Sequence, residues 1–372
     1  MAIGADGVTN DELLDLIKST REGVEKGRFE VTYGQQNYYA VDSLMAPDNV
    51  KTQTGEKATW RVKLDDGEQG AHVLPYEEMD VNALDLLSKA EEPWHIFRTP
   101  LVWNRQLLMR NMDSDGNQIL DLLDVTRLDA QQSAATEIDA KFFAAPSASD
   151  ERPPHALQYA VPLFTAGQAG AGFYGGVYST DFSTVYGISP ADSGSNTTSI
   201  TGGKSRWRCW QAGGTGYYTT WDQTLLDTMD NGRMSIQFLA PRLVTIQTMQ
   251  RQWRDWKILV NKDTRIGLRK LLKDANDQNG TDLAYYENEL TYGRLPIVYV
   301  AALDAGVFGT YDPIYFLNLN DWRFAAVQGD YFRETDPIIP WNMPDVITAS
   351  MNLQYAIACV NRRTQAVINK TA

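Results

Sequence analysis

Cysteine and histidine are both scarce in this chain of 372 residues. The two cysteines, Cys209 and Cys359, are far apart and form no CxxC pair, which argues against a disulfide framework or a zinc-finger pattern. The three histidines, His72, His95 and His155, belong to no HExxH motif, and the chain has no GxSxG nucleophile motif. The sequence therefore predicts a protein that is not an enzyme, with no catalytic, cofactor-binding or metal-binding residues.

Positive charge and long apolar runs are also in short supply. The chain has 34 Lys and Arg against 47 Asp and Glu, a formal net charge of −13. Binding DNA or RNA through its phosphates requires clustered basic residues, so we expect this chain to bind nucleic acid poorly. No run approaches the ~18 apolar residues that span a bilayer, and the first thirty residues lack an apolar signal-peptide core. We therefore expect no membrane partner.

The most motif-like stretch is NMDSDGNQILDLLD, residues 111–124. A calcium-binding loop needs oxygen ligands at alternate positions and a bidentate carboxylate at the twelfth. Counting from Asn111, the twelfth residue is Leu122, and counting from Asp113, the glycine position holds Gln118. Both registers fail. The pattern instead predicts a turn whose Asp and Asn side chains cap a following helix.

Two further stretches imitate phosphate-binding loops. GAGFYG, residues 170–175, matches the dinucleotide fingerprint, but a strand-like run follows it where the fingerprint requires a helix. TGGKS, residues 201–205, ends like a P-loop, but the first glycine of that motif is replaced by Thr198. Neither stretch predicts a cofactor.

Two segments near the N-terminus look better suited to a neighbouring molecule than to the chain's own core. Residues 9–26 predict a helix whose apolar stripe, including Leu13 and Ile17, is narrow. Residues 54–92 predict a long charged β-hairpin, in which EKATWRVKLDD is followed by the turn GEQG and by a return strand in AHVLPYEEMDV. Such a hairpin buries little against its own chain. The candidate assembly residues are Leu13, Ile17, Trp60, Arg61, Lys63, Asp65 and Asp66.

The rest of the chain alternates helices and β-rich runs. Apolar residues at helical spacing predict one long helix over about residues 117–144, which Pro146 ends. TLLDTMDNGRMSIQFL, residues 224–239, predicts another helix, and RQWRDWKILVNKD, residues 251–263, a helix or a helix–strand unit. LTYGRLPIVYVAAL, DPIYFLNLNDWRFAAV and MNLQYAIACVNRRTQAVI predict strands. Periodicity alone gives an α+β fold.

The order of these elements resembles the major capsid proteins of tailed bacteriophages, which share the Hong Kong 97-type fold. The resemblance rests on the N-terminal helix, the charged hairpin, the N-x-x-S-x-G-N turn at 111–117, the long helix, and the runs LLDTMDNGRMSIQFLAPRLVTIQTMQRQWRDW, ELTYGRLPIVYV, YFLNLNDWRFAAVQGDYF and MNLQYAIACVNRRTQAVI. It implies an N-arm (1–45), an extended loop (46–95), a peripheral domain with the spine helix (96–222), an axial domain (223–345) and a closing peripheral strand (346–372).

The resemblance also implies function and partners. It implies a protein that assembles into hexamers and pentamers of the icosahedral head, in the virion, around double-stranded DNA that it does not bind by sequence. A separate scaffolding protein, a portal, and a decoration or cement protein are the further partners implied. Two alternatives stay open at this point. Encapsulin-like compartments share the fold, and the ten tryptophans and many carboxylates also suit a β-rich carbohydrate-active enzyme.

Overall fold

The computed structural model of the protein describes most of the chain between residues 39 and 370. The described residues are 39–45, 50–64, 72, 87–104, 106, 122–150, 152–163, 171–179, 181–190, 207–212, 218–236, 256–276, 290–293, 295–304, 306–343 and 345–370. Several sequence predictions lie outside them. These are the helix at 9–26 with Leu13 and Ile17, the charged pair Asp65 and Asp66, the turn at 111–117, and the TGGKS stretch.

Helices and strands alternate along the described chain. The helices are α1 (Tyr39–Leu44), α2 (Leu122–Phe143), α3 (Leu157–Ala160), α4 (Gln223–Ile236), α5 (Lys262–Asn276) and α6 (Gly306–Tyr311). The strands are β1 (Val50–Gln53), β2 (Lys57–Lys63), β3 (Leu87–Pro93), β4 (His95–Asn104), β5 (Ala171–Gly175), β6 (Cys209–Ala212), β7 (Trp256–Val260), β8 (Thr291–Tyr292), β9 (Leu295–Tyr299), β10 (Ile314–Asn318), β11 (Trp322–Val327), β12 (Arg333–Glu334), β13 (Val346–Cys359) and β14 (Ala366–Ile368).

The chain forms two compact units. Among the described residues, the smaller unit comprises 100–104, 106, 122–131, 335–343 and 345–350, and the larger unit contains the rest. The larger unit holds a seven-stranded mixed sheet in the order β5-β6-β14-β10-β7-β9-β8. A second sheet has the order β1-β11-β13-β12, with β4 also paired to β13, and β2 pairs with β3 alone.

The seven-stranded sheet separates two hydrophobic clusters of the larger unit. Along β10, Tyr315 and Leu317 belong to one cluster, while Ile314 and Phe316 belong to the other. Successive side chains of a strand point to opposite faces, so a strand covered on both faces is apolar throughout. This explains why DPIYFLN has no alternation of apolar and polar residues.

Both sheets draw strands from either side of the domain boundaries predicted at residues 222 and 345. In the seven-stranded sheet β14 pairs with β6 on one side and with β10 on the other, and in the second sheet β11 pairs with β13. Strand pairing joins residues that are distant in sequence, so sheet membership does not follow chain order. The five predicted segments and the four boundaries between them remain predictions.

The GAGFYG stretch is a strand. Ala171–Gly175 form β5, which pairs antiparallel with β6. A Cβ atom at Gly175 would lie 1.9 Å from the Sγ atom of Cys209, so glycine is required here by the close approach of two strands. The glycine pattern therefore serves sheet packing.

A buried arginine connects the end of β13 with the middle of the chain. Arg362 is fully buried, and its Nη1 donates to the carbonyl of Trp207 at 2.8 Å. Its Nη2 donates to the carbonyls of Gly175 at 3.2 Å and Gly176 at 2.7 Å. Burial lowers the pKa of the guanidinium from its ordinary value, since no water solvates the charge. Carbonyl dipoles take the place of that solvation.

Candidate assembly surfaces

The charged hairpin exists, but its return strand differs from the prediction. Strand β2 pairs antiparallel with β3 in a register from Lys57 opposite Pro93 to Lys63 opposite Leu87. The predicted partner, AHVLPYEEMDV, ends at residue 81. The prediction was wrong because alternation identifies a strand without identifying its partner.

The base of the hairpin packs on its own chain, contrary to the expectation that it buries little there. Trp60 makes an edge-to-face contact with Tyr186, with ring centroids 5.2 Å apart. Ala58 and Ala90 are buried, and the Glu91 N–H donates to the carbonyl of Tyr186 at 3.1 Å. Of the predicted assembly residues, Trp60 therefore contributes to the core of its own subunit.

The outer face of the hairpin remains accessible and charged. Arg61 and Lys63 are exposed, as the two-faced alternation predicts. On the same face, Lys57 lies 2.6 Å and Lys89 3.4 Å from the two carboxylate oxygens of Glu91. Hydrogen bonding and charge from Lys57 lower the pKa of Glu91. Exposed pairs of this kind add little stability to a monomer, but their positions set the charge pattern that a neighbour meets.

A second surface, which the sequence reasoning missed, is an apolar turn in the smaller unit. Residues 335–350 fold back on themselves: the Thr335 N–H donates to the carbonyl of Ser350 at 2.9 Å, and Ile338 forms a two-way bridge with Thr348 at 2.8 and 2.9 Å. At its tip, the Met343 N–H donates to the carbonyl of Pro340 at 3.1 Å. We call residues 338–343 the apolar tip.

The apolar tip presents its large side chains to solvent. Trp341 is 96% exposed, and Ile338, Ile339 and Met343 are more than half exposed. Large apolar groups gathered on one exposed turn are typical of protein–protein interaction sites. The sequence signal was DPIIPWNMPD, in which prolines interrupt an apolar run. A proline-interrupted run is poorly suited to the interior of a sheet or helix, so its apolar residues need another place to pack.

A buried polar cluster lies where the hairpin joins β4. The Oε1 atom of Glu92 lies 3.3 Å from Nε2 of His95 and 3.0 Å from Nδ1 of His155. The side chains of Glu92 and His95 are each 2% exposed, and that of His155 is 14% exposed. The three ligand atoms lie within 4.8 Å of one another, close enough to share a metal ion. The sequence gave no hint of this cluster, since Glu92 and His155 are 63 residues apart.

Several solved structures share the fold of this chain. The capsid of cyanophage A-1(L) matches with a TM-score of 0.58 and 13% identity, over 95% of this chain and 99% of that one. The capsid of a native GTA particle matches with a TM-score of 0.55 and 11% identity, over 95% and 99% of the two chains. The capsid of an empty GTA particle matches with a TM-score of 0.53 and 10% identity, over 94% of this chain and 100% of that one. The chain thus has the α+β fold of these capsid proteins, which confirms the predicted Hong Kong 97-type fold class.

Other comparisons add nothing to the fold. No protein-family model and no curated protein matches the chain. None of the helices in the described part of the chain has the length and apolar composition that crossing a bilayer requires.

Proposed function

We propose that this protein is a major capsid protein, a structural rather than a catalytic chain that assembles with copies of itself into the shell of a tailed-phage-type virion. The observation that carries the proposal is the shared fold, which covers 95% of this chain and 99% of the cyanophage A-1(L) capsid chain. The match extends over nearly the whole length of both chains.

The exposed apolar tip supports self-assembly. Burying a tryptophan side chain removes about 150–250 Å² from water, which at ~25 cal/mol per Å² stabilises an interface by about 4–6 kcal/mol before ordering costs. A monomer gains nothing from keeping Trp341 96% exposed. In a closed shell every subunit makes such a contact with one neighbour and accepts one from another. Because the subunits are already held together, each contact forms at a high effective concentration.

The proposal also covers the oligomeric state, the domain assignment and the partners of the subunit. The subunits form hexamers and pentamers, with residues 1–45 as the N-arm, 46–95 as the extended loop, 96–222 and 346–372 as the peripheral domain, and 223–345 as the axial domain. A scaffolding protein, a portal, and a decoration or cement protein are the proposed further partners. The net charge of −13 suits a shell that encloses double-stranded DNA without gripping it.

Size and shape of the expressed protein test the proposal. We expect size-exclusion chromatography to give capsomers or particles, and negative-stain microscopy to show rings or closed shells. A monodisperse monomer or small oligomer at high concentration would count against a shell protein and in favour of the enzyme class. The contents of the particles distinguish a virion shell from an encapsulin-like compartment. Nuclease-resistant DNA inside particles purified from the cells that produce them would identify a virion shell.

A further inference from the structure

We propose that Glu92, His95 and His155 form a binding site for a divalent transition-metal ion, with Zn²⁺ the best match, at the base of the hairpin. The three side chains come from β3, from the first residue of β4, and from the segment that precedes α3. An ion held here would tie these three segments together. The inference concerns the subunit itself and does not depend on the proposed function.

The distances between ligand atoms suit tetrahedral zinc. With metal–ligand bonds of about 2.0–2.1 Å, neighbouring ligand atoms around a tetrahedral ion are about 3.3 Å apart. Glu92 Oε1 lies 3.3 Å from His95 Nε2 and 3.0 Å from His155 Nδ1. The two nitrogen atoms lie within 4.8 Å of each other, so they need to approach by at most about 1.5 Å to admit the ion. Two imidazoles and one carboxylate match the ligand preference of Zn²⁺ better than that of Ca²⁺ or Mg²⁺, which favour oxygen.

The charge balance of the cluster also favours a cation. Within the described residues, Nε2 of His95 and Nδ1 of His155 face the Glu92 carboxylate. A buried carboxylate is costly unless it is paired. A divalent ion held between the carboxylate and the two nitrogen atoms would pair it.

Neighbouring groups hold both imidazoles in place. Nδ1 of His95 lies 3.3 Å from the carbonyl of Arg152, an acceptor that favours the proton on Nδ1 and directs Nε2 toward Glu92. His155 stacks on Tyr159 with ring centroids 4.5 Å apart. The Tyr159 hydroxyl donates to the carbonyl of Thr184 at 3.1 Å and accepts from the Tyr186 N–H at 3.2 Å. Metal-binding histidines are commonly oriented by such carbonyl and ring contacts.

Binding of the metal alone tests the proposal directly. Purified full-length protein, with any affinity tag removed, is dialysed against a chelator and titrated with ZnCl₂ by calorimetry, and with CoCl₂ by visible absorption. We expect one ion per chain, a cobalt spectrum of the tetrahedral type, and a melting temperature that rises by several degrees with excess Zn²⁺ and falls with chelator.

Matched variants locate the site. His155→Ala and the near-isosteric Glu92→Gln should each lose most of the zinc binding and the zinc-dependent rise in melting temperature. His72→Ala, which removes the exposed third histidine, should keep both. Wild-type protein that binds no zinc would overturn the proposal without recourse to any variant. Equal binding by wild type, His155→Ala and Glu92→Gln would also overturn it, since the ion would then lie elsewhere.

Discussion

The Nε atom of Arg362 donates a hydrogen bond to the carbonyl oxygen of Ala160 at 2.7 Å, across 202 positions of the chain. With the contacts to Trp207, Gly175 and Gly176, this one guanidinium serves four backbone carbonyls. The planar fork of arginine offers five N–H donors in fixed directions, and lysine offers only a point charge. The residue therefore holds three segments of the chain together by hydrogen bonding within the core: the end of α3, the end of β5, and Trp207 before β6.

Replacing Arg362 should lower the free energy of unfolding of the subunit. Arg362→Met keeps the length and loses every donor, leaving buried carbonyls unpaired, so we expect a loss of about 3 kcal/mol or more in the free energy of unfolding. Arg323→Met, at an exposed position of β11, should change it by no more than about 0.5 kcal/mol. Urea denaturation of unassembled subunits measures both. Similar midpoints for the two variants would contradict the assigned role.

Two tryptophans should separate folding from assembly. Trp341→Ala alters a fully accessible side chain, so subunit stability should change by less than about 0.5 kcal/mol, while each interface loses roughly 2 kcal/mol or more. Trp322→Ala empties a core position that is 1% exposed and should cost the subunit about 3–5 kcal/mol. The measurements are denaturation of the subunit and the protein concentration at which shells form. Normal shell formation by Trp341→Ala would show that the apolar tip is not an interface.

In the hairpin, we expect residues 65–86 to act in assembly and Trp60 to act in folding of the subunit. Replacing residues 65–86 by Asn-Gly leaves the three-residue loop Leu64-Asn-Gly between the paired residues Lys63 and Leu87. This loop length keeps β2 and β3 in register, so we expect a folded subunit that forms no shells. Trp60→Ala should act in the opposite way, lowering subunit stability by about 2 kcal/mol through its lost contact with Tyr186. Circular dichroism and negative-stain microscopy distinguish the two outcomes. Intact particles from the shortened hairpin would exclude a role between subunits.

Asp139 should make stability depend on pH. Its Oδ1 accepts from the Ala40 N–H at 2.8 Å, and burial raises the pKa of the carboxyl in spite of hydrogen bonds from Ala40 and Val41. A raised pKa in the folded state means that stability is fully present below the ordinary aspartate value and is lost as pH rises through the raised one. Asp139→Asn keeps the acceptor without the charge.

The difference in stability between Asp139→Asn and wild type should therefore change with pH. We expect the variant to gain stability relative to wild type on going from about pH 4 to about pH 7, as measured by urea denaturation. Asp129→Asn, on the exposed side of the same helix, is the matched control for removing a charge. A stability difference between Asp139→Asn and wild type that stays constant over this range would show that the carboxyl does not titrate as inferred.

Local patterns in the sequence correctly predicted several elements. Helix α4 agrees with the helix predicted over 224–239 throughout its described length, and α2 agrees with the long helix predicted over 117–144. These predictions succeed because the 3.6-residue period is a property of neighbouring residues alone. The segment RQWRDWKILVNKD is different. Its described part is strand β7 from Trp256 to Val260 followed by the start of α5 at Lys262. The strand forms because β9 and β10 flank it and supply its backbone partners.

By itself, the sequence determined the α+β class, the long helix, the β-rich second half and the alternating faces of β2, since each follows from composition and short-range periodicity. Only the tertiary structure decided which strand pairs with β2, which side of the hairpin faces its own core, and which tryptophans are buried. It alone brought Glu92, His95 and His155 together and placed Arg362 among four distant carbonyls. Pairing, burial and ligand clusters depend on contacts between residues tens to hundreds of positions apart, and no local pattern encodes those distances.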